Sequence, residues 1–197
     1  MNLLLISEIG KGPALPAFGP EFEMHMEAKH HPEIYAASCT AWRLLETALR
    51  SVGIEKLPLV HFEAMGKPVF ADSPLHFSLS HSGKLAAALL SDALCAVDIE
   101  IIKDHVQDRL LNRCLNAQEK SMGRDFFECW TKKECLGKLS GEGLPARPAG
   151  MDSLNPAYAD HFHLHRFIDS SGRQYQLCTL CMNHEKTTIK RIGPEEL

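Results

Sequence analysis

Apolar and polar positions alternate between two rhythms along the chain, and the change of rhythm marks its elements. Residues 2–8, NLLLISE, form a short apolar run that predicts a first strand. Residues 10–32 carry four prolines and three glycines and predict an irregular stretch. From Pro32 to Val52 the apolar positions Ile34, Ala37, Ala41, Leu44, Leu45, Ala48, Leu49 and Val52 recur at helical spacing, with Pro32 suited to the first turn and Gly53 to the stop. Short β-type segments follow. Pro58–Phe62 is one, Gly66-Lys67-Pro68 is a turn, and Leu75–Ser80 alternates as a half-buried strand does. Ser80-His81-Ser82-Gly83-Lys84 then predicts a tight polar turn. Leu85–Leu90 and Leu94–Ile102 read as two strands of a hairpin joined by Ser91-Asp92-Ala93, the second apolar enough to be central. Residues 103–124 predict a helical stretch with Asn116 as an N-cap and Gly123 as a stop, and Phe126–Gly141 a second helix. A Gly/Pro-rich loop to Asp152 and strands at Phe162–Ile168, Tyr175–Met182 and Thr187–Ile192 complete the chain. Each half runs from a helix to a set of short strands, which predicts an α+β fold of two similar α/β halves meeting near residues 95–105.

Bulk properties narrow the classes. The 197 residues suffice for one large domain or two small halves with real cores. A net charge of −4 supplies no global basic field for nucleic acid. No apolar run approaches the roughly 20 residues of a membrane span, and the first residues lack the charged region of a signal peptide. Seven scattered cysteines, an odd number, read as reduced thiols of a cytoplasmic protein. Cys178 and Cys181 form a lone CxxC with no matching pair, which favours buried strand cysteines over zinc. His161, His163 and His165 alternate on one strand face, exposed side chains being the simpler reading than a chelate.

Candidate chemistry lies where charge interrupts apolar pattern. In the helix Phe126–Gly141, the residues Phe126, Cys129, Trp130, Leu136 and Gly137 share one arc, and Lys133 falls inside it. Glu134 and Lys138 stand one turn apart on its flank. An ordinary i,i+4 pair accounts for them unless other charge joins them. Asp98 and Glu100 supply it: two apart on the apolar strand LCAVDIEII, they point to one face. Like charges so placed repel and are costly to desolvate, and a hard divalent cation such as Mg²⁺ removes that penalty. Ser80 and His81 at a strand end suit an anion, although the spacing is not that of a P-loop.

Three ordered features carry a resemblance: Gly66-Lys67-Pro68 with Phe77-Ser78-Leu79-Ser80-His81-Ser82-Gly83; Val97-Asp98-Ile99-Glu100; and Phe127-x-x-Trp130-Thr-x-Lys133-Glu134-x-x-x-Lys138 with Gly141-x-Gly143-Leu144. The set resembles the 4′-phosphopantetheinyl transferase superfamily, in its monomeric, surfactin-synthetase-activating type. Two positions depart from the family pattern: Ala96 replaces a glycine, and Cys39 stands at an arginine position. The resemblance implies transfer of the phosphopantetheine arm of coenzyme A to a serine of an acyl or peptidyl carrier protein, releasing adenosine 3′,5′-bisphosphate. It implies a pseudo-twofold fold, with residues 1–97 supplying coenzyme A contacts and 98–197 the metal-binding carboxylates. Asp98, Glu100 and Glu134 would hold Mg²⁺; Lys138 would contact the diphosphate, Ser80 and His81 the phosphates and Lys67 the nucleotide end. Arg43, Lys133 and the basic run Lys29-His30-His31 are further phosphate candidates. Glu134, directly or through a metal-bound water, would be the base, with Glu119 in reserve, so that Glu134, Lys138 and Asp98 form the catalytic set. A Mg²⁺-dependent phosphohydrolase acting on a nucleotide diphosphate and a non-catalytic binder of carrier protein or coenzyme A are the competing readings.

Overall fold

The computed structural model describes residues 1–10 and 15–197. It is an α+β fold in four layers. The first layer is helix α2 (Pro32–Ser51), and the second is a sheet of β1 (Asn2–Glu8), β4 (His76–Ser82), β5 (Leu85–Ser91) and β9 (Thr187–Arg191) in the order β4-β5-β1-β9. The third is a sheet of β6 (Cys95–Ile101), β7 (Phe162–Ile168) and β8 (Gln174–Cys181) in the order β6-β8-β7, and the fourth is helix α5 (Phe126–Ser140). Strand alternation distributes the core between these layers. Leu3 and Leu5 pack with Leu44, Leu45, Ala48 and Leu49 of α2, while Leu4 and Ile6 face Val97 and Ile99 of β6. A sheet covered on both faces needs apolar side chains at every position, which is why β1 and β5 read as continuous apolar runs. With Val97 and Ile99 turned toward the first sheet, Asp98 and Glu100 point the other way, toward α5.

The two sheets meet side by side at β4 and β6 without a backbone ladder. Backbone N–H groups of Val97, Ile99 and Ile101 donate to the hydroxyls of Ser78, Ser80 and Ser82, at 3.0, 3.2 and 3.1 Å. The constant offset makes the two strands parallel, with serine oxygens standing where carbonyl acceptors would be. β6 is therefore an edge strand by its ladder rather than the central strand expected, and its open edge is satisfied by side chains. The expected hairpin between β5 and β6 is absent, because the strands belong to different sheets and β5 pairs with β1 and β4 instead. Likewise the polar turn is shorter than its sequence suggests. β4 continues through Ser82, which pairs with Leu85, so only Gly83 and Lys84 turn. Gly83 has φ +55°, and a Cβ there would lie 2.6 Å from the Tyr175 hydroxyl oxygen. That buried hydroxyl accepts from Lys84 N–H at 2.9 Å and donates to Asp169 at 3.0 Å, tying the two sheets' turns together.

Two further expectations change. Part of the irregular stretch, residues 11–14, lies outside the described residues, but Pro20–Glu27 is a helix, α1, with proline in its first turn and Phe22 and Met26 buried. Phe18 and Phe22 stack edge-on or tilted against Trp42, and this local aromatic burial outweighs the surrounding prolines. The single helical stretch at 103–124 divides into α3 (Asp108–Cys114) and α4 (Ala117–Ser121). Asn116 and Glu119 form a capping box at the break, and Gly123 follows with φ +61°. Two small strands, β2 (Val60–Phe62) and β3 (Pro68–Phe70), pair around the Gly66-Lys67 turn. The seven cysteines are all buried and unbridged. Among the described residues, no helix is long and apolar enough to cross a membrane.

Helix α5 is buried on most of its circumference, beyond the single apolar arc expected of it. Phe127, Cys129, Thr131, Lys133, Cys135 and Gly137 are all enclosed, because α4 and the loop carrying Ser153 cover the side that sheet β6-β8-β7 does not. Lys133 is fully buried. Its ammonium donates to Glu119 at 2.7 Å and to the Cys114 carbonyl at 2.6 Å. Burial pushes the Glu119 carboxyl up, but hydrogen bonds from Lys133, Ser153 and Asn116 outweigh it and hold the carboxyl below its usual value. Removing one partner strands a buried charge. Lys133→Met should therefore lower unfolding stability by about 3–5 kcal/mol, and adding Glu119→Gln should recover much of it, read by denaturant unfolding. Because the folded carboxyl is depressed, its contribution is present above the usual value of 4.5 and fades as pH falls below it. The acid-side loss of stability should accordingly flatten in the double variant.

Candidate active site

A cavity of about 460 Å³ opens between α2, β4 and α5. Its walls bring together most of the residues singled out in the sequence: Lys67, Ser80, His81, Asp98, Glu134 and Lys138. Three elements deliver them. β4 carries Ser80 and His81, β6 carries Asp98, and one turn of α5 carries Glu134 and Lys138. The helix can come this close because residue 137 is glycine. A Cβ there would lie 2.7 Å from the Gly143 carbonyl oxygen, where the loop folds back and donates Gly143 N–H to Gly137. Gly141 ends the helix at φ +79°.

The carboxylates are held in different ways. Asp98 accepts from Lys138 Nζ at 2.7 Å and from Ser80 Oγ at 2.9 Å, both on Oδ1, while its Oδ2 is buried without a hydrogen-bond partner. Lys138 also donates to the Val97 carbonyl at 3.0 Å. Glu100 accepts from Ser82 Oγ at 2.8 Å and from the Trp130 indole N–H at 3.1 Å. It faces a neighbouring hollow lined by Trp130, Phe126 and Phe127 rather than the main cavity. Burial pushes the Glu134 carboxyl up to about 7, aided by Asp98 and Glu100 and opposed by Lys138. Glu100 is raised by burial and by Asp98, against the hydrogen bonds from Ser82 and Trp130. Burial lowers Lys138, but Asp98 and its neighbours outweigh that and raise it, so the ammonium stays charged.

The three carboxylates feel one another, and the orphaned Asp98 oxygen and the oxygen-only donor set fit a hard divalent cation. As the side chains stand, however, no group of three or more His, Cys, Asp or Glu among the described residues is close enough to hold a metal. Serine, lysine and indole donors occupy Asp98 and Glu100 instead.

Other candidates lie elsewhere. Arg43 is not on the cavity wall; its guanidinium donates to Glu46 and to the Leu197 carbonyl at 2.8 Å. Lys133 and Glu119 are spent on each other inside the protein and do not reach the cavity. Lys67 Nζ donates to the Leu139 carbonyl at 3.0 Å, at the negative end of α5. Ser80 has its hydroxyl committed to Asp98 and Ile99. Lys29 does line the cavity, beside His25, Trp42 and Met65, which no sequence pattern singles out. His25 and Trp42 fall on the apolar sides of α1 and α2, and helical spacing alone does not separate a cavity wall from a core. Burial, then Lys138 and Lys29, push the His81 imidazole down, so it is poised to gain a proton when an anion offsets those cations. Lys29, Lys67 and Lys138 with His25 and His81 face Asp98 and Glu134, a balance that suits a polyanion.

Comparison with known proteins adds an independent line. No family model matches the chain. The 4′-phosphopantetheinyl transferase AcpT of Escherichia coli (strain K12) is 36% identical over 106 residues, covering 48% of this chain and 54% of that protein. The 4′-phosphopantetheinyl transferase psf-1 of Bacillus pumilus is 38% identical over 96 residues, 42% of this chain and 39% of its own length. The 4′-phosphopantetheinyl transferase gsp of Aneurinibacillus migulanus is 31% identical over 88 residues, 40% of this chain and 36% of that one. The chain thus spans about half the length of the curated relatives it matches. Over about half of its length the chain is thus similar to proteins named 4′-phosphopantetheinyl transferases, the superfamily that its motifs resemble.

Proposed function

We propose that the chain transfers the 4′-phosphopantetheine arm of coenzyme A to a serine of an acyl or peptidyl carrier protein, with adenosine 3′,5′-bisphosphate as the second product and Mg²⁺ as the cofactor. One observation carries the reading: Glu134 and Lys138 of α5 and Asp98 of β6 share a cavity wall with Lys29, Lys67 and His81. A carboxylate at the working pH, a charged ammonium and a cationic rim are what a diphosphate transfer requires. The organisation into halves, residues 1–97 with the coenzyme A contacts and 98–197 with the carboxylates, belongs to the same proposal. It is supported by the matching stacks of α2 on β4-β5-β1 and α5 on β6-β8-β7, with β9 (Thr187–Arg191) crossing back from the second half to pair with β1. A cytoplasmic monomer accords with it.

The chain's residues divide the work. Lys29, Lys67 and His81 bind and orient the phosphates of coenzyme A. Lys138 neutralises charge that develops on the bridging oxygen of the diphosphate. Glu134, whose carboxylate receives no hydrogen bond among the described residues, takes the proton from the acceptor serine as its oxygen attacks phosphorus. Asp98, Glu100 and Glu134 would hold Mg²⁺, which when bound supplies Lewis-acid neutralisation of the diphosphate.

Incubation with coenzyme A, Mg²⁺ and several apo-carrier proteins should add the phosphopantetheine mass to a carrier, followed by mass spectrometry; no gain on any carrier would refute the transfer. Coenzyme A without an acceptor should stay intact, whereas rapid cleavage would favour a phosphohydrolase. Asp98→Asn should abolish transfer while preserving the fold, since the amide removes the anionic ligand yet its oxygen still accepts from Ser80 and Lys138. Glu134→Gln should lower the transfer rate by about 10²- to 10⁴-fold, read in the same mass assay.

A further inference from the structure

The serines between β4 and β6 do more than satisfy a strand edge. Ser82 Oγ accepts the Ile101 N–H at 3.1 Å and lies 2.8 Å from Glu100 Oε2. A hydroxyl has one proton, and with an N–H on its acceptor side that proton is directed at the carboxylate. The other Glu100 oxygen accepts from Trp130. Ser80 repeats the arrangement one step earlier, between Ile99 N–H and Asp98. Ser78 makes the same strand contact with Val97 N–H, but the side chain that would complete the pattern is Ala96, which has no acceptor.

We propose that Ser82 is a positioning residue: its hydroxyl, anchored on β6's own backbone, fixes the orientation of the Glu100 carboxylate toward α5. Glu100 sits at the half-exposed end of β6, next to the hollow under Trp130, and nothing in its immediate sequence fixes its rotamer. Ser82 and Trp130 grip one oxygen each, from β4 and from α5. The carboxylate is thereby placed by β4, β6 and α5, the three elements that deliver the site's side chains. The inference rests on the reading of Glu100 as a cation ligand.

The test uses Mn²⁺ alone as the probe, with binding to the full chain followed by electron paramagnetic resonance and thermal unfolding recorded beside it. Ser82→Ala should weaken Mn²⁺ by about 10- to 100-fold, the range seen when an outer partner of a ligand is removed. Ser78→Ala loses an equivalent strand contact without touching a carboxylate, so it should lower thermal stability similarly yet leave Mn²⁺ affinity near that of the wild type. Ser82→Thr keeps the hydroxyl and should restore binding. Should Ser82→Ala fail to fold, Ser82→Cys, close in shape and a weak donor, is expected to show the same loss of affinity. Wild-type affinity in the Ser82 variant, or equal losses in the Ser78 and Ser82 variants, would overturn the inference alone. A wild-type chain that binds no Mn²⁺ would overturn the cation reading itself, and this inference with it.

Discussion

The molecule depends on a seam of serine hydroxyls. β6 has a ladder on one edge only, and its other edge would leave the N–H groups of Val97, Ile99 and Ile101 unsatisfied inside the protein. A backbone strand could satisfy them but would have nothing left for side chains. A serine hydroxyl accepts the N–H and still has a proton to give. β4 supplies three in register, and two of those protons go to Asp98 and Glu100. One set of bonds therefore joins the sheets and orients the acidic side chains. The sheets' shared core of Leu4, Ile6, Val97, Ile99 and Leu177 holds the strands at the distance this requires.

The acidic cluster is costly, and its environment shows how the cost is met. Buried like charges push the carboxyls of Glu100 and Glu134 up, and Lys138 offsets part of the effect. The ammonium sits where a cation's charge would serve, on Asp98, while Asp98 Oδ2 remains unpartnered. The site is thus balanced between protein donors and an exogenous charge. By contrast, the Glu119–Lys133 pair is enclosed, hydrogen-bonded on both partners and off the cavity wall, and it fastens α4 and the Ser153 loop to α5. Two adjacent residues, Lys133 and Glu134, about 100° apart around one helix, therefore serve the fold and the site respectively.

What the sequence made legible was the chemistry carried on single elements. Asp98 and Glu100 on a strand and Glu134 and Lys138 on a helix are periodicity statements, and the fold points each set where alternation or helical pitch directs it. Lys133 inside an apolar arc was a sign of a buried partner, but only tertiary structure identifies that partner as Glu119. The serine seam was hidden for a physical reason: HFSLSHS alternates as a strand with a solvated face does, and a neighbouring strand edge wants the same polar pattern that water does. The hairpin expected at Ser91-Asp92-Ala93 failed because short connections also join strands of different sheets. Arg43 resembled a phosphate ligand by position, yet Glu46 one turn on engages it.

The central claim is that acidic side chains of β6 and α5 converge on one cation that grips a diphosphate. A crystal structure with coenzyme A and Mg²⁺ bound tests it most directly. The account predicts Asp98, Glu100 and Glu134 on a common ion, with Glu100 still held by Ser82 and Lys138 placed against the diphosphate. An ion held without Glu134, or a diphosphate seated away from Lys138, would contradict it.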